Sequence, residues 1–204
     1  LRCLVGSEMC IRDRFWGRYH ETKVAFCMAY GAARAVEIIH LFGILGAKLA
    51  VQIGTCGGLQ SELAPGHIIV PDMAIAREGV AQLYGTVEAA PGSPLHLDQA
   101  QSLLEARHHT VHRGTHLTWS SIFAQNGQMI EEWHRAGYLS VDMETATTYG
   151  VARHFDMPAV SMLVVWDDLT RGRSFLDPLT DEEMTALNRA NESVYEVALK
   201  MARQ

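Results

Sequence analysis

Residues 137–168 read GYLSVDMETATTYGVARHFDMPAVSMLVVWDD and decide the fold. The pattern predicts a short strand that delivers Asp142 and Glu144 into the start of a helix, then an apolar strand that ends on Asp167 and Asp168. Two sets of acidic groups should therefore emerge at the ends of neighbouring strands, which is where ligands bind in open α/β sheets. One carboxylate there can accept hydrogen bonds from sugar hydroxyls, and another can exchange a proton with a leaving group. We expect a site for a small, hydroxyl-rich molecule.

Strand-like and helical segments alternate along the rest of the chain. This alternation predicts a single-domain α/β fold, in which a mixed, mostly parallel central sheet is flanked by helices. A capping box from Thr180 to Glu183 predicts the start of the last helix. The predicted strands are residues 24–29, 48–53, 67–75, 110–120, 139–141 and 159–166, and the other predicted helices are residues 32–45, 95–109, 125–136 and 145–155.

Composition and charge exclude several classes of function. The chain has 204 residues and a formal net charge of −6, which argues against non-specific nucleic-acid binding. No apolar run reaches the length of roughly 18 residues that a membrane span needs. The four cysteines and ten histidines show no metal-ligand spacing, so we expect no metal. Cys27 lies in an apolar run, and this favours a buried thiol in a reducing cytoplasm.

A glycine-rich segment, GTCGG at residues 54–58, follows one of the predicted strands. Read as a loop, it could bring backbone N–H groups against an anion, and the hydroxyl of Thr55 could donate to phosphate or to a sugar oxygen. The segment matches neither the dinucleotide-binding nor the P-loop pattern. A tight structural turn is therefore the alternative interpretation.

Five segments, taken in order, resemble the nucleoside phosphorylase-I superfamily, which contains purine nucleoside phosphorylases, uridine phosphorylases and related nucleosidases. They are VQIGTCGGL, PDMAIAREGVAQLYG, SSIFAQNGQM, VDMETA and VVWDDL. VDMETA is the most specific of them, because it matches the family's ribose-binding E-M-E element. The resemblance runs from about residue 24 to the C-terminus and implies the phosphorylase-I fold.

The resemblance implies a sugar and phosphate site. Glu144 matches the glutamate that accepts hydrogen bonds from the ribose 2′- and 3′-hydroxyls, with Met143 packed against the sugar. Thr55 matches the residue that contacts both phosphate and sugar. Gln52 stands where the phosphorylases carry a phosphate-binding arginine. The alternative for Glu144 is an acidic residue favoured at a helix N-terminus by the helix dipole.

The resemblance also implies a base site and a proton donor. Phe123 matches the aromatic residue that lies against the nucleobase, and its alternative is a core position. Asp167 matches the aspartate that protonates purine N7 as the glycosidic bond breaks; its alternative is a cap for the following loop, which Asp168 could provide instead. The positions implied to line the base pocket are Cys56, Gly57 and Val141, with Asp142 behind them.

Two departures bear on the reaction. Gln52 offers amide donors but no charge, and nucleosidases of the same superfamily use a neutral residue there because water replaces phosphate. The family's first strand, with its anion-binding loop, should precede residue 24 and is not recognised in the sequence. Residues 1–14 resemble translated sequencing-adaptor sequence, so we expect a non-native tail over residues 1–14, with a native arm as the alternative. A phosphorylase-like domain without its first strand is expected over residues 15–204.

These observations predict an enzyme that cleaves purine nucleosides with phosphate, giving free base and ribose 1-phosphate. The alternatives are hydrolysis of the same bond by a nucleosidase, uridine phosphorolysis, or an inactive nucleoside-binding fragment. No cofactor is expected beyond phosphate as co-substrate. The resemblance further implies a homo-oligomer, a hexamer or a dimer, and the cysteine usage favours the cytoplasm.

Overall fold

The computed structural model describes residues 14–203, and all structural statements concern that range. A hairpin comes first in the described range, and the strands of a mixed sheet then alternate with helices along the chain. Three short 3-10 helices lie at Ala81–Tyr84, Ile122–Ala124 and Leu169–Arg171. The other elements are β1 (Arg14–Tyr19), β2 (Thr22–Cys27), α1 (Ala32–Ile44), β3 (Ala50–Gly58), β4 (Ile68–Arg77), β5 (Ala89–Pro91), α2 (Pro94–Glu105), β6 (Val111–Trp119), α3 (Gly127–Arg135), β7 (Ser140–Asp142), α4 (Thr145–His154), β8 (Ala159–Asp168) and α5 (Asp181–Met201).

The central sheet has the strand order β5-β4-β6-β7-β3-β8. Its two long ladders, β3 with β8 and β4 with β6, are parallel, whereas β3–β7 and β4–β5 are short antiparallel pairings. The first residues of β4 also pair with β8, so the sheet curls until its two sides meet. The predicted mixed, mostly parallel sheet is confirmed.

Helices cover both faces of this sheet. On one face, α2 and α5 pack apolar side chains against β4 and β8, and on the other face α4 packs against small alanines of the strands. Helix α4 is buried along nearly its whole length, from Thr145 to Ala152. The predicted capping box is present, because Thr180 Oγ1 accepts from the Glu183 backbone N–H and the Glu183 carboxylate accepts from Thr180 N–H.

The start of the described range differs from the prediction. The strand predicted at residues 24–29 is β2, which ends at Cys27, and it forms a hairpin with β1, which was not predicted. Trp16 packs against Phe42 of α1, and Phe26 packs against Tyr195 of α5. The hairpin is therefore fixed to the domain by aromatic contacts.

The predicted glycine loop at residues 54–58 is wrong. Strand β3 continues through Gly58, because the ladder with β8 extends to the pair Gly58 and Asp168. The register shifts between Cys56 and Gly57, which marks a β-bulge. The glycines thus serve a bulged strand end rather than a loop.

Candidate active site

Strand β3 brings the two acidic segments together. Gly57 is the register partner of Asp167 on β8 and of Val141 on β7. Neighbouring strands are about 4.8 Å apart, so the ends of β7 and β8 lie roughly 10 Å apart across β3. The predicted strands are not direct neighbours, because β3 lies between β7 and β8. The register places Val141 level with Asp167 on the two sides of β3, and Glu144 follows three residues after Val141.

Asp167 is a buried acid, with only 6% of its surface exposed. Burial raises the pKa of this carboxyl to about 6, and the charge of Asp168 adds to the rise, while its own backbone N–H and Arg173 oppose it. The carboxylate lies directly over Gly57, where an added Cβ would be 3.1 Å from Asp167 Oδ1 and 2.7 Å from Leu169 Cδ1. A glycine at position 57 thus leaves room for the acid.

Asp168, not Asp167, caps the loop that follows. Its Oδ1 accepts hydrogen bonds from Thr170 N at 3.1 Å and from Thr170 Oγ1 at 2.6 Å, and its Oδ2 lies 3.1 Å from Arg171 Nε. The structural role suggested as an alternative for Asp167 is therefore carried by its neighbour.

Glu144 stands at the N-cap position of α4 but does not cap it. Its carboxylate accepts hydrogen bonds from the backbone N–H of Gly31 and, at 3.3 Å, from that of Met143. Burial raises the pKa of Glu144 to about 7, and the nearby Asp142 charge contributes, while the two N–H donors oppose the rise. The alternative of a simple helix-terminal acid does not account for the bond to Gly31, which lies 113 residues away.

Gly31 is a site residue that the sequence did not reveal. Its φ of +82° lies in the left-handed region that favours glycine, and a Cβ there would be 3.6 Å from Met143 Cε. The segment between β2 and α1 therefore closes over Met143 and Glu144. The only available signal was a glycine just before a predicted helix.

Asp142 lies behind Glu144 and is held by donors from several elements. Burial alone would raise the pKa of Asp142, but the His116 charge and the bonds from Thr145 outweigh it and keep the pKa below its usual range. Asp142 is thus a fixed carboxylate. It accepts from Gln52 Nε2 at 2.9 Å, Thr118 Oγ1 at 3.0 Å, Thr145 N at 3.0 Å and Thr145 Oγ1 at 2.5 Å.

The two predicted phosphate contacts stand in different surroundings. Gln52 donates to Asp142 and accepts from Ser161 Oγ at 3.0 Å, so its side chain bridges two strands inside the protein. Only its second amide N–H is left for a phosphate. Thr55 is exposed on β3. Both phosphate contacts remain predictions.

The predicted base-binding residues divide into two groups. Phe123 is 83% exposed, so the core alternative for it is wrong, and its ring meets Phe175 edge-on at 6.0 Å between centroids. Phe175 was not predicted. Cys56 and Val141 are each only 4% exposed and pack in apolar clusters, which leaves little of either side chain for contact with a ligand.

The described range holds neither a cluster of metal-ligand side chains nor a membrane-spanning helix. Within residues 14–203, no group of three or more His, Cys, Asp or Glu side chains could hold a metal ion. No helix in the same range is long and apolar enough to cross a membrane.

Known proteins match the chain in sequence and in fold. The family described as the phosphorylase superfamily matches residues 10–203. A DeoD-type purine nucleoside phosphorylase of Geobacillus kaustophilus is 31% identical over 175 residues, which cover 81% of this chain and 66% of the relative. A guanosine phosphorylase of Halorubrum lacusprofundi is 25% identical over 173 residues, covering 81% and 71%.

Two solved structures share the fold. A uridine phosphorylase from Vibrio fischeri superposes with a TM-score of 0.84 at 20% identity, covering 100% of this chain and 85% of that one. A P. knowlesi homologue of P. falciparum PNP gives a TM-score of 0.76 at 18% identity, with coverages of 93% and 77%. At these identities the likeness concerns the fold alone.

Proposed function

This chain belongs to the phosphorylase superfamily, and we propose that it cleaves the N-glycosidic bond of purine nucleosides with phosphate. The products are free base and ribose 1-phosphate. The similarity to purine nucleoside and guanosine phosphorylases supports this assignment. Because the match spans about two thirds of the length of these relatives, the activity of the whole protein is part of the proposal.

The observation that carries the proposal is the surroundings of Asp167. It is buried, its neighbour Asp168 takes over the capping role, and its pKa of about 6 keeps a protonated fraction of about a tenth at pH 7. A bound base would displace water from Asp167, which would raise its pKa further and so increase the protonated fraction. Such a carboxyl is suited to donate a proton.

The chemistry follows from where charge develops. As the ribosyl C–N bond breaks, its electron pair goes to the base, and Asp167 donates a proton to N7 so that a neutral base departs. Positive charge builds on the sugar, where phosphate oxygen forms the new C–O bond. Glu144 accepts hydrogen bonds from the 2′- and 3′-hydroxyls and holds the sugar in place. Phe123 supplies an exposed ring for the base, with Phe175 beside it.

One observation favours a second candidate, hydrolysis of the same bond. Gln52 is neutral, and one of its two amide N–H groups is already bound to Asp142. A charge-assisted bond to phosphate is roughly twice as strong as a neutral one, so this position holds phosphate weakly. Water as the nucleophile would need no such contact.

We also propose that the chain acts as a homo-oligomer in the cytoplasm. Apolar side chains at the end of α1 support association, because Ile44 and Leu45 are 65% and 62% exposed.

The experiment that tests the reaction incubates inosine, adenosine and uridine with and without phosphate. Phosphorolysis of purines predicts that base and ribose 1-phosphate appear from inosine or adenosine only when phosphate is present. Free ribose without phosphate would assign hydrolysis, and preferential turnover of uridine would assign the pyrimidine reaction. Binding without release of base would leave a nucleoside-binding protein.

A further inference from the structure

A chain of buried polar groups runs beneath the predicted sugar site. His116 on β6 is fully buried, with Nε2 2.9 Å from Asp142 Oδ1 and Nδ1 2.8 Å from Ser140 Oγ. Ser140 in turn hydrogen-bonds the buried thiol of Cys56. The chain therefore links Asp142, two residues before Glu144, to a histidine that no step of the proposed reaction uses.

The geometry fixes a proton on His116 Nε2. A lone pair on this nitrogen would repel the carboxylate oxygen at 2.9 Å, so Nε2 must carry hydrogen. The N–H does not point along the line to Asp142 Oδ1, and it has no other acceptor among the described residues. At 2.9 Å an imidazolium would attract the carboxylate by charge even though the N–H is poorly aligned.

His116 is the one partner of the Asp142 carboxylate, among the described residues, that can carry a positive charge. Its other partners, Gln52, Thr118 and Thr145, are neutral donors. Burying a carboxylate is costly unless it is hydrogen-bonded and paired with an opposite charge. An imidazolium at position 116 would supply the opposite charge, beside the hydrogen bonds from the neutral donors.

We propose that His116 is a positioning residue for the sugar site: as an imidazolium it neutralises Asp142, so that Glu144 ionises more readily to the carboxylate that accepts both sugar hydroxyls. The inference rests on the proposed function, because it takes Glu144 as the sugar ligand. It assigns to His116 a role that acts through Asp142 and not by contact with substrate.

The other ionisable groups nearby do not supply this charge. Burial raises the pKa of the Cys56 thiol and of the Tyr149 hydroxyl, so both are neutral near pH 7. Within the described residues, the acids that face this cluster add negative charge. The groups are Cys56 from β3, Asp142 from β7, Glu144 and Tyr149 from α4, and Asp167 from β8.

The test compares His116→Gln with Thr118→Val, which removes a neutral donor to the same oxygen, Asp142 Oδ1. The ligand is a C-nucleoside analogue of inosine, whose carbon–carbon glycosidic bond cannot be cleaved, and its dissociation constant is measured against pH. In His116→Gln, the unneutralised Asp142 should move the pH midpoint of binding up by about 1 unit, because Glu144 then ionises less readily. Thr118→Val should move it much less. No shift in His116→Gln, a downward shift, or equal shifts in both variants would overturn the proposal.

A second measurement needs no variant that folds poorly. In protein labelled at the histidine rings, the His116 resonances should report an imidazolium under the conditions in which the nucleoside analogue binds. A neutral ring under those conditions would sink the ion pair. If the wild-type chain binds no nucleoside at any pH, the proposed function fails by itself, while the ring resonances still decide the charge of His116.

Discussion

The site contains two pairs of acidic residues: Asp142 and Glu144, which follow one another at the end of β7 (the β7 pair), and Asp167 and Asp168 at the end of β8 (the β8 pair). Asp142 and Asp168 are each bound by side-chain donors, whereas Glu144 accepts only from backbone N–H groups. Burial raises the pKa of Glu144 to about 7 and that of Asp167 to about 6. In each pair, one carboxylate serves the fold and its neighbour is left for chemistry.

The two structural acids, Asp142 and Asp168, differ in how far along the sequence their hydrogen-bond partners lie. Asp168 is bound within its own loop, by Thr170 and Arg171. Asp142 is bound by residues as far as 90 positions away, such as Gln52, in the interior of the sheet. A local cap can be lost at a small cost, but a buried carboxylate that loses its partners destabilises the whole sheet end.

Replacing the free acid of the β8 pair should have the largest effect. Asp167→Asn should slow cleavage of inosine by a factor on the order of 10² or more, because the departing base loses its proton donor. Binding of the nucleoside should change much less. Asp168→Asn is the matched control, and it should retain most of the turnover. Full activity in Asp167→Asn, with loss in Asp168→Asn, would exchange the roles of the two residues. Steady-state kinetics with saturating phosphate measure both.

The free acid of the β7 pair should show a smaller effect, confined to the sugar. Glu144→Gln should weaken ribonucleosides by roughly 1.5–3 kcal/mol, the worth of a hydrogen bond to a charged acceptor. A 2′,3′-dideoxynucleoside has no hydroxyls to lose and should bind both proteins alike. Calorimetric titration of the two ligands gives the comparison, and equal losses for both would show that Glu144 only supports the fold.

Asp167→Asn should lower activity but raise the stability of the folded protein. Its folded pKa of about 6 lies above the ordinary 3.8, so ionisation destabilises the folded state, progressively as pH rises from about 4 to about 6. Asp167→Asn should therefore raise the free energy of unfolding by about 1–3 kcal/mol at pH 8 and by little at pH 4. Asp168→Asn should lower it by about 1 kcal/mol, the usual worth of a cap. Urea unfolding at both pH values measures this, and an Asp167→Asn gain that does not depend on pH would contradict it.

The sequence predicted the elements well where apolar side chains form a run or a stripe. β8 was recognised as a continuous apolar run, since it is buried on both faces, and α5 by apolar residues that recur every third to fourth position. The end of β3 was misread because Gly54, Gly57 and Gly58 have no side chains to show an alternation. The hairpin strand β1 was missed at the border of a segment that showed no periodicity.

For the site, local contacts were readable and distant ones were not. The cap by Asp168 could be inferred, because Thr170 follows two residues later. Gly31 and His116 escaped notice because their partners lie 113 and 24 residues away, and only the folded sheet brings them together. Phe175 was missed for the same reason, since its partner Phe123 lies far away in sequence, in the 3-10 helix Ile122–Ala124.

The smallest expected effect is the pH dependence of binding to the β7 pair. Glu144 has a raised pKa of about 7, so it gains its charge, and with it its full strength as an acceptor, as pH rises through neutrality. Affinity for inosine without phosphate should therefore rise about threefold between about pH 6.5 and about pH 7.5, in proportion to the ionised fraction. A 2′,3′-dideoxyinosine titration over the same range serves as the control, because it reports every other ionisation in the site, including that of Asp167. The inosine dependence should disappear in Glu144→Gln. If inosine affinity instead fell with rising pH, the protonated form of an acid would govern binding, and the separation of sugar binding on β7 from proton donation on β8 would have to be given up.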